Sequence, residues 1–323
     1  MPNEKEINVD QVVSSQNKVP SSASVPIQGV QTAEAMLDQF IKMKPDEFIP
    51  WEEVTLPSRG QYYSGKLPGG ICRVRAMGIH ADKILATERL AQTGESIDYL
   101  FRHCVELTDG FDPLDLLSGD RNFLLYYLRG ITHGNEYEFV LKCPSCGNTS
   151  VQTYDLNELA KTMQTAKPDL GEEPFKVILP YMSKVAGSEV WVKVRFMRGR
   201  DISAIASRQR FQKRVRAATA TKQLSVVIDN ALTENLSLII AAFGGAGLTG
   251  EVTDSAKIRA LADSEKMHSS DTATIREFLK ANAPGIDTQI RASCPDCSRE
   301  FDVDLPLQES FFRPTSKGAP RRT

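Results

Sequence analysis

The sequence has no apolar run of about 18 residues, which excludes a helical membrane span. Its longest apolar patch, Leu236 to Phe243, is far too short. A charge excess is missing too. Lys and Arg number 39 against 41 Asp and Glu, a net charge of −2, so bulk charge does not make the chain a nucleic-acid binder. No Walker-type loop, dinucleotide fingerprint or Ser-His-Asp order is present. Gly244 to Gly250 is glycine-rich, but it follows an apolar stretch and carries no Lys-Ser/Thr, so it reads as a helix stop and a loop. The four histidines, His80, His103, His133 and His268, are scattered. The sequence thus predicts no enzyme. Lacking a signal peptide, the chain is expected in a reducing cytoplasm, where disulfides do not persist.

What is present is cysteine in a pattern. Four of six cysteines form two knuckles, Cys143-Pro144-Ser145-Cys146 and Cys294-Pro295-Asp296-Cys297. C-x-x-C in a tight turn places two thiolates at two corners of a tetrahedron, so two knuckles make one closed four-thiolate zinc site. Gly147 suits such a turn because glycine tolerates positive φ; Ser298 is the poorer equivalent. Extended segments flank both knuckles, and Phe301, Val303 and Leu305 alternate with polar residues as in a half-buried strand. Two redox pairs or two disulfides are the competing readings. Matching flanks argue against the first and the compartment against the second. A catalytic zinc is not indicated, since four thiolates leave no open position. The fold class is therefore α+β: a helical N-terminal domain and a split zinc ribbon with a mixed strand and helix insertion. Roughly 150 residues separate the two halves, against about 15–20 in ordinary ribbons.

Composition and periodicity divide the chain further. Residues 1–32, with no aromatics, read as a flexible tail. Residues 33–135 form the mainly helical domain, 136–157 the first half-ribbon, 158–285 the insertion, 286–314 the second half-ribbon and 315–323 a flexible basic end. Ala33 to Met43 is an amphipathic helix with Met36, Leu37, Phe40 and Ile41 on one face, expected to pack on its own domain rather than in a partner's groove. Ala81 to Gln92 is one helix, and Ser96 caps the next. The apolar helix after Asp120 runs to Gly130. In the insertion, Phe175–Pro180 and Val190–Phe196 are antiparallel strands that extend the ribbon sheet. Asp201 caps a helix to about Thr219, Leu224–Phe243 is a second helix, Asp254–Leu261 a third, and Ser270 caps the last. Cys72 and Cys104 are buried free thiols. Asp109, Asp112, Asp115 and Asp120 suit caps and a solvated loop better than a hard-cation site. Arg195, Arg198, Arg200, Arg208, Arg210, Lys213, Arg214 and Arg216 form the strongest charge feature. Such a helix serves a protein contact, a solvated face or, with only Phe196 and Phe211 interleaved, less readily nucleic acid.

The order of motifs carries a resemblance. Leu56-Pro57-Ser58-Arg59-Gly60 opens it, with Tyr63 following. Gly119-Asp120-Arg121 and Arg129 lie on one helix, and Gly134 to Tyr137 leads into Cys143. With the second knuckle and a late Phe311-Phe312, this resembles the baseplate hub protein family of T-even-like contractile-tailed phages, over residues 50–157 and 286–314. The long N-terminal tail and the large insertion depart from it. The resemblance implies a structural or assembly role without catalysis and other baseplate or hub proteins as partners; a homo-oligomer within the baseplate is a further candidate. It places the chain in the virion tail, assembled in the host cytoplasm. Its matching positions are Leu56, Pro57, Ser58, Gly60, Asp120, Arg121 and the ligands Cys143, Cys146, Cys294 and Cys297. The alternative is a zinc-ribbon nucleic-acid-binding regulator that uses the arginine-rich helix.

Overall fold

The computed structural model describes residues 32–218, 231–247, 249–264, 266–307 and 309–312. The two terminal tails and the first part of the expected 224–243 helix lie outside these residues. Helices and small antiparallel sheets alternate along the chain.

The first part opens with helices α1 (Ala33–Lys42) and α2 (Pro45–Phe48) and builds a sheet in the order β1 (Glu52–Thr55), β2 (Ile71–Val74), β3 (Val105–Glu106). Thr32 caps α1 through its hydroxyl, which accepts from the Ala35 N–H at 3.2 Å. Among the described residues the helix is not buried in its own domain, however. Met36, Leu37, Phe40 and Ile41 are all exposed, and Phe40 meets the Phe48 ring edge-on. Between β2 and β3 lie α3 (Ile79–Ala86), α4 (Glu88–Thr93) and α5 (Ser96–Cys104). The single helix expected from Ala81 is broken at Thr87, whose hydroxyl donates to the Lys83 carbonyl at 2.7 Å and competes with the backbone ladder. Nor does Ser96 cap α5. Glu95 holds the cap position, and the Ser96 hydroxyl finds no partner.

Helix α6 (Ser118–His133) is the post around which the rest packs. It is buried on most faces, with the charged Asp120, Arg121 and Arg129 buried beside its apolar residues. Phe123, Leu124, Leu125 and Leu128 belong to one core, Tyr126 to a second. The first core joins β1 and β2 to residues far along the chain, among them Phe175, Val192, Leu236 and Ile275. The second is built by the ribbon. Hairpin β4 (Glu136–Lys142) and β5 (Thr149–Asp155) gives Tyr137, Phe139 and Leu141, followed by Leu159 on the short helix α7 (Asn157–Lys161). Hairpin β9 (Gln289–Ser293) and β10 (Glu300–Asp304) gives Ile290 and Ala292, followed by Phe311 on α13 (Glu309–Phe312), the last helix of the order given below.

Between the hairpins stands a separate sheet, β6 (Phe175–Ile178), β7 (Val190–Val194) and β8 (Ile240–Gly245), with α8 (Pro180–Ala186) in the β6–β7 connection. It does not extend the ribbon, whose hairpins remain two-stranded. Helices α9 (Gly199–Ala218), α10 (Ala231–Ile239), α11 (Ser255–Ala262) and α12 (Ser269–Asn282) complete the order. The apolar stretch expected to stay helical to Phe243 changes at Ile240 into strand. Its alternating burial and its pairing with β7 decide the matter, since a short apolar run has no period that separates the two. Gly244 is accordingly no helix stop. It lies under the Trp191 ring, where a Cβ would come within 2.5 Å of the indole. Asp201 is not the cap of α9 but lies in its first turn, accepting from the Arg198 N–H at 2.8 Å. His268, not Ser270, caps α12. The helix expected over Asp254–Leu261 is α11, with Asp254 as its cap.

Candidate metal centre

Each ribbon hairpin ends in a knuckle, and the two knuckles share one local geometry. The Cys143 N–H donates to the Asn148 carbonyl and the Gly147 N–H to the Cys143 carbonyl, at 2.8 and 3.0 Å. Cys294, Arg299 and Ser298 repeat this at 3.0 and 2.9 Å. Gly147 has φ 74° and Ser298 φ 57°. The turn therefore demands left-handed backbone at this place in both copies, and the second copy meets the demand without glycine.

The packing of the second core brings the knuckles together. The four sulfurs of Cys143, Cys146, Cys294 and Cys297 lie within 4.8 Å of one another. Cys143 Sγ stands 3.7 Å from Cys297 Sγ, and Cys146 Sγ 3.6 Å from Cys294 Sγ. A zinc–sulfur bond of about 2.3 Å in a regular tetrahedron gives a sulfur–sulfur edge of about 3.8 Å. A disulfide needs about 2.05 Å. The spacing thus fits four ligands around one ion and does not fit two disulfides. The first cysteine of each knuckle is buried and the second exposed. The Ser145 N–H points at Cys143 Sγ at 3.4 Å, and Arg299 bridges the knuckles to the Ser145 hydroxyl at 3.2 Å.

Electrostatics favour a cation here. The Cys146 and Ser145 backbone N–H groups help hold the Cys143 thiol near 6, well below the ordinary range. The Asn148 N–H pulls Cys146 down as well, yet burial and the other sulfurs carry it up to about 12. One thiolate forms easily and the next is opposed by it, a conflict that a bound dication removes. The remaining cysteines are different. Burial pushes Cys72 to about 12 and Cys104 to about 11, which keeps both as neutral thiols.

A family model described as T4 bacteriophage base plate protein matches residues 59–313, most of the chain and both knuckles. The chain belongs to this family. No curated protein and no solved structure matches it. As a baseplate protein it has a structural role in the phage tail, among other phage proteins. No helix among the described residues is long and apolar enough to cross a membrane.

The motifs of the baseplate protein that stand far apart in sequence meet inside the first core. Ser58 and Asp120 are fully buried. The Ser58 N–H donates to Asp120 Oδ1 at 3.0 Å, and the Tyr63 hydroxyl donates to Oδ2 at 2.5 Å. The Tyr63 oxygen in turn accepts the Leu117 N–H at 2.9 Å. Burial raises the Asp120 carboxyl above its ordinary range, against the pull of its Ser58 and Tyr63 donors. The next residue, Arg121, turns away, donating to Asp98 at 2.5 Å and to the Pro113 carbonyl at 2.9 Å. Arg129, 2% exposed, donates to the Gly134 and Glu136 carbonyls at 2.6 and 3.2 Å and so fastens the end of α6 to β4.

Sequence reasoning missed these links. Asp120 reads as a loop end, and only its recurrence beside the Leu56–Tyr63 motif points further. Asp112 and Asp115 offer no cation site, since Asp112 pairs with Arg102 and Arg200, and Asp115 pairs with Arg200. The arginine-rich segment is partly committed. Arg195 grips Asp201 with two bonds of 2.7 and 2.8 Å, and Arg198 holds Glu173 at 2.6 Å and the Tyr62 carbonyl at 2.8 Å. The side chains of Arg210, Lys213, Arg214 and Arg216 lie outside the described residues.

Proposed function

We propose that this chain is a structural or assembly component of the baseplate hub, and that one zinc ion clamps its ribbon through Cys143, Cys146, Cys294 and Cys297. The observation that carries the reading is the four-sulfur cluster, with edges near those of a zinc tetrathiolate, in a chain of the baseplate family. The ion supplies a cross-link and the protein supplies all else. Cys143 and Cys146 approach from one hairpin, Cys294 and Cys297 from the other, and four thiolates fill the coordination sphere. The clamp acts on distant segments, so it presents residues 158–285 as an insertion between two fixed ends. Contacts with other baseplate proteins and with further copies of the chain then form on a rigid surface. Three of the arginines that a nucleic-acid reading would use, Arg195, Arg198 and Arg200, already hold carboxylates of the same chain, which favours the protein-contact reading.

The test is quantitative mass spectrometry of purified particles beside infected-cell lysate, with metal analysis of the isolated protein. The reading expects the chain in particles at a small fixed ratio to the central spike protein, or associated with hub proteins in the lysate, and one zinc per chain. A chain found with neither, or a stoichiometry of zero zinc in protein purified without chelator, overturns it.

A further inference from the structure

The loop from Leu56 to Gly70 is wound under backbone strain and locked at two points. Arg59, Tyr62 and Ser64 have φ of 51°, 70° and 51°, the left-handed region that L-residues avoid because Cβ crowds the carbonyl. The first lock is the buried Ser58 N–H on Asp120. The second is backbone against backbone: a Cβ on Gly70 would lie 2.7 and 2.8 Å from the Arg59 carbonyl carbon and Cα. The Arg59 main chain is thus fixed between them.

Strain at Tyr62 has a structural reason. Its ring makes edge contacts with Phe175 and Phe196, and its carbonyl accepts from Arg198. Arg59 has no such reason. Its side chain is exposed and finds no hydrogen bond or ion pair among the described residues. Eight other arginines, from Arg73 to Arg291, each hold a carboxylate. The loop's charge is also one-sided. Between Glu53 and Asp82 there is no acid, although acids outnumber bases in the whole chain. Of the four cations in that stretch, Arg73 is spent on Glu106, and Arg75 on Asp46 and the Trp51 ring. Arg59 and Lys66 remain exposed on the loop, Lys66 within electrostatic reach of Asp115.

We propose that Arg59, with Lys66 on the same loop, is a preset docking point for carboxylates on a neighbouring phage protein. A guanidinium takes a carboxylate through two parallel bonds. A backbone already fixed in place lowers the ordering cost of that contact. Two cations make a point contact with a protein rather than the long basic stripe that tracks a nucleic-acid backbone. The inference rests on the proposed function only in taking the partner to be another protein of the same phage.

Arg59→Gly separates folding from docking, because glycine occupies the same φ without strain. The purified variant should melt at the wild-type temperature or a few degrees above it. Phage carrying it should lose at least about tenfold in infectious titre, with Arg59→Asn behaving alike and Arg59→Lys recovering part of the loss, since Asn tolerates left-handed backbone and Lys keeps the charge. A photo-crosslinking residue at position 59 in infected cells should join a peptide of another phage protein containing Asp or Glu. Reversing that acid to Arg should depress titre, and adding Arg59→Glu should restore it. Full titre with Arg59→Gly, a melting temperature well below wild type, or crosslinks to nucleic acid would each overturn the proposal. The crosslink reads in the cell, so absence of the wild-type chain from particles counts against a permanent hub subunit and leaves this test standing.

Discussion

Replacing Tyr63 by Phe probes the buried network with the loss of one oxygen. The ring keeps its place against Phe111, which it meets edge-on at 5.3 Å. The Leu117 N–H loses its acceptor and Asp120 Oδ2 loses a donor. An unsatisfied buried N–H costs about 1–3 kcal/mol, and a hydrogen bond to a charged group is worth about 1.5–3 kcal/mol, so the sum is roughly 4 kcal/mol. At about 2–4 °C per kcal/mol, the melting temperature should fall by roughly 10 °C. The cost should also depend on pH. The Asp120 carboxyl is raised in the folded protein, so its contribution is fully present below the unfolded carboxylate value and is lost as pH rises through the folded value. Without the Tyr63 donor the folded value rises further, and the loss at high pH grows. Urea unfolding of both proteins at pH 5.5 and 8.5, in matched buffers so that the response of the cysteine cluster cancels, should show the larger difference at pH 8.5. A difference below about 1 kcal/mol at both pH values, under the least expected for the two lost bonds, refutes the reasoning. So does a difference that is larger at pH 5.5.

Other substitutions test separate links. Cys143→Ser or Cys294→Ser should abolish zinc binding by metal analysis and open new protease sites between residues 286 and 307. Closing a loop of this length is worth about 5 kcal/mol by chain entropy, and an unchanged melting temperature would show that no metal holds the ribbon. Gly119→Ala should destabilise by about 1–3 kcal/mol or more, because the added methyl would lie inside the Pro284 carbonyl and 2.9 Å from its carbon; calorimetry reads this directly. Asp271 is fully buried and accepts from the Tyr181 and Met182 N–H groups at 2.7 and 3.2 Å. Asp271→Ala should therefore cost about 2 kcal/mol and speed amide exchange at those two residues, while Asp271→Asn should cost less.

What was legible in the sequence was chemistry confined to a few consecutive residues. The spacing of Cys143 and Cys146, and of Cys294 and Cys297, marks two tight turns whose sulfurs the fold brings together, and the flanking alternation marks the hairpins. The helices α6 and α11 and the β6–β7 pair carry periods strong enough to read. Where the decision belonged to a distant partner, local pattern failed. Ile240 to Gly245 became strand because β7 lay beside it, and Gly244 was needed for an indole rather than for a turn. Asp120 looked like a loop end because Ser58 and Tyr63 lie about 60 residues away.

The same distinction bears on how the chain closes. The second half-ribbon is held by the proposed metal at the knuckles. It is also held by α6 and β4, because Tyr126 and Tyr137 donate to the Leu305 and Pro306 carbonyls at 3.2 and 2.7 Å. Phe311 then packs edge-on against both rings, with centroids 5.2 and 5.1 Å away. These two attachments lie at opposite ends of hairpin β9–β10. Loss of the metal should consequently free the knuckles first, with the Phe311 anchor still in place, and the ribbon should fray from its cysteine tip towards α6 rather than unfold with the first core.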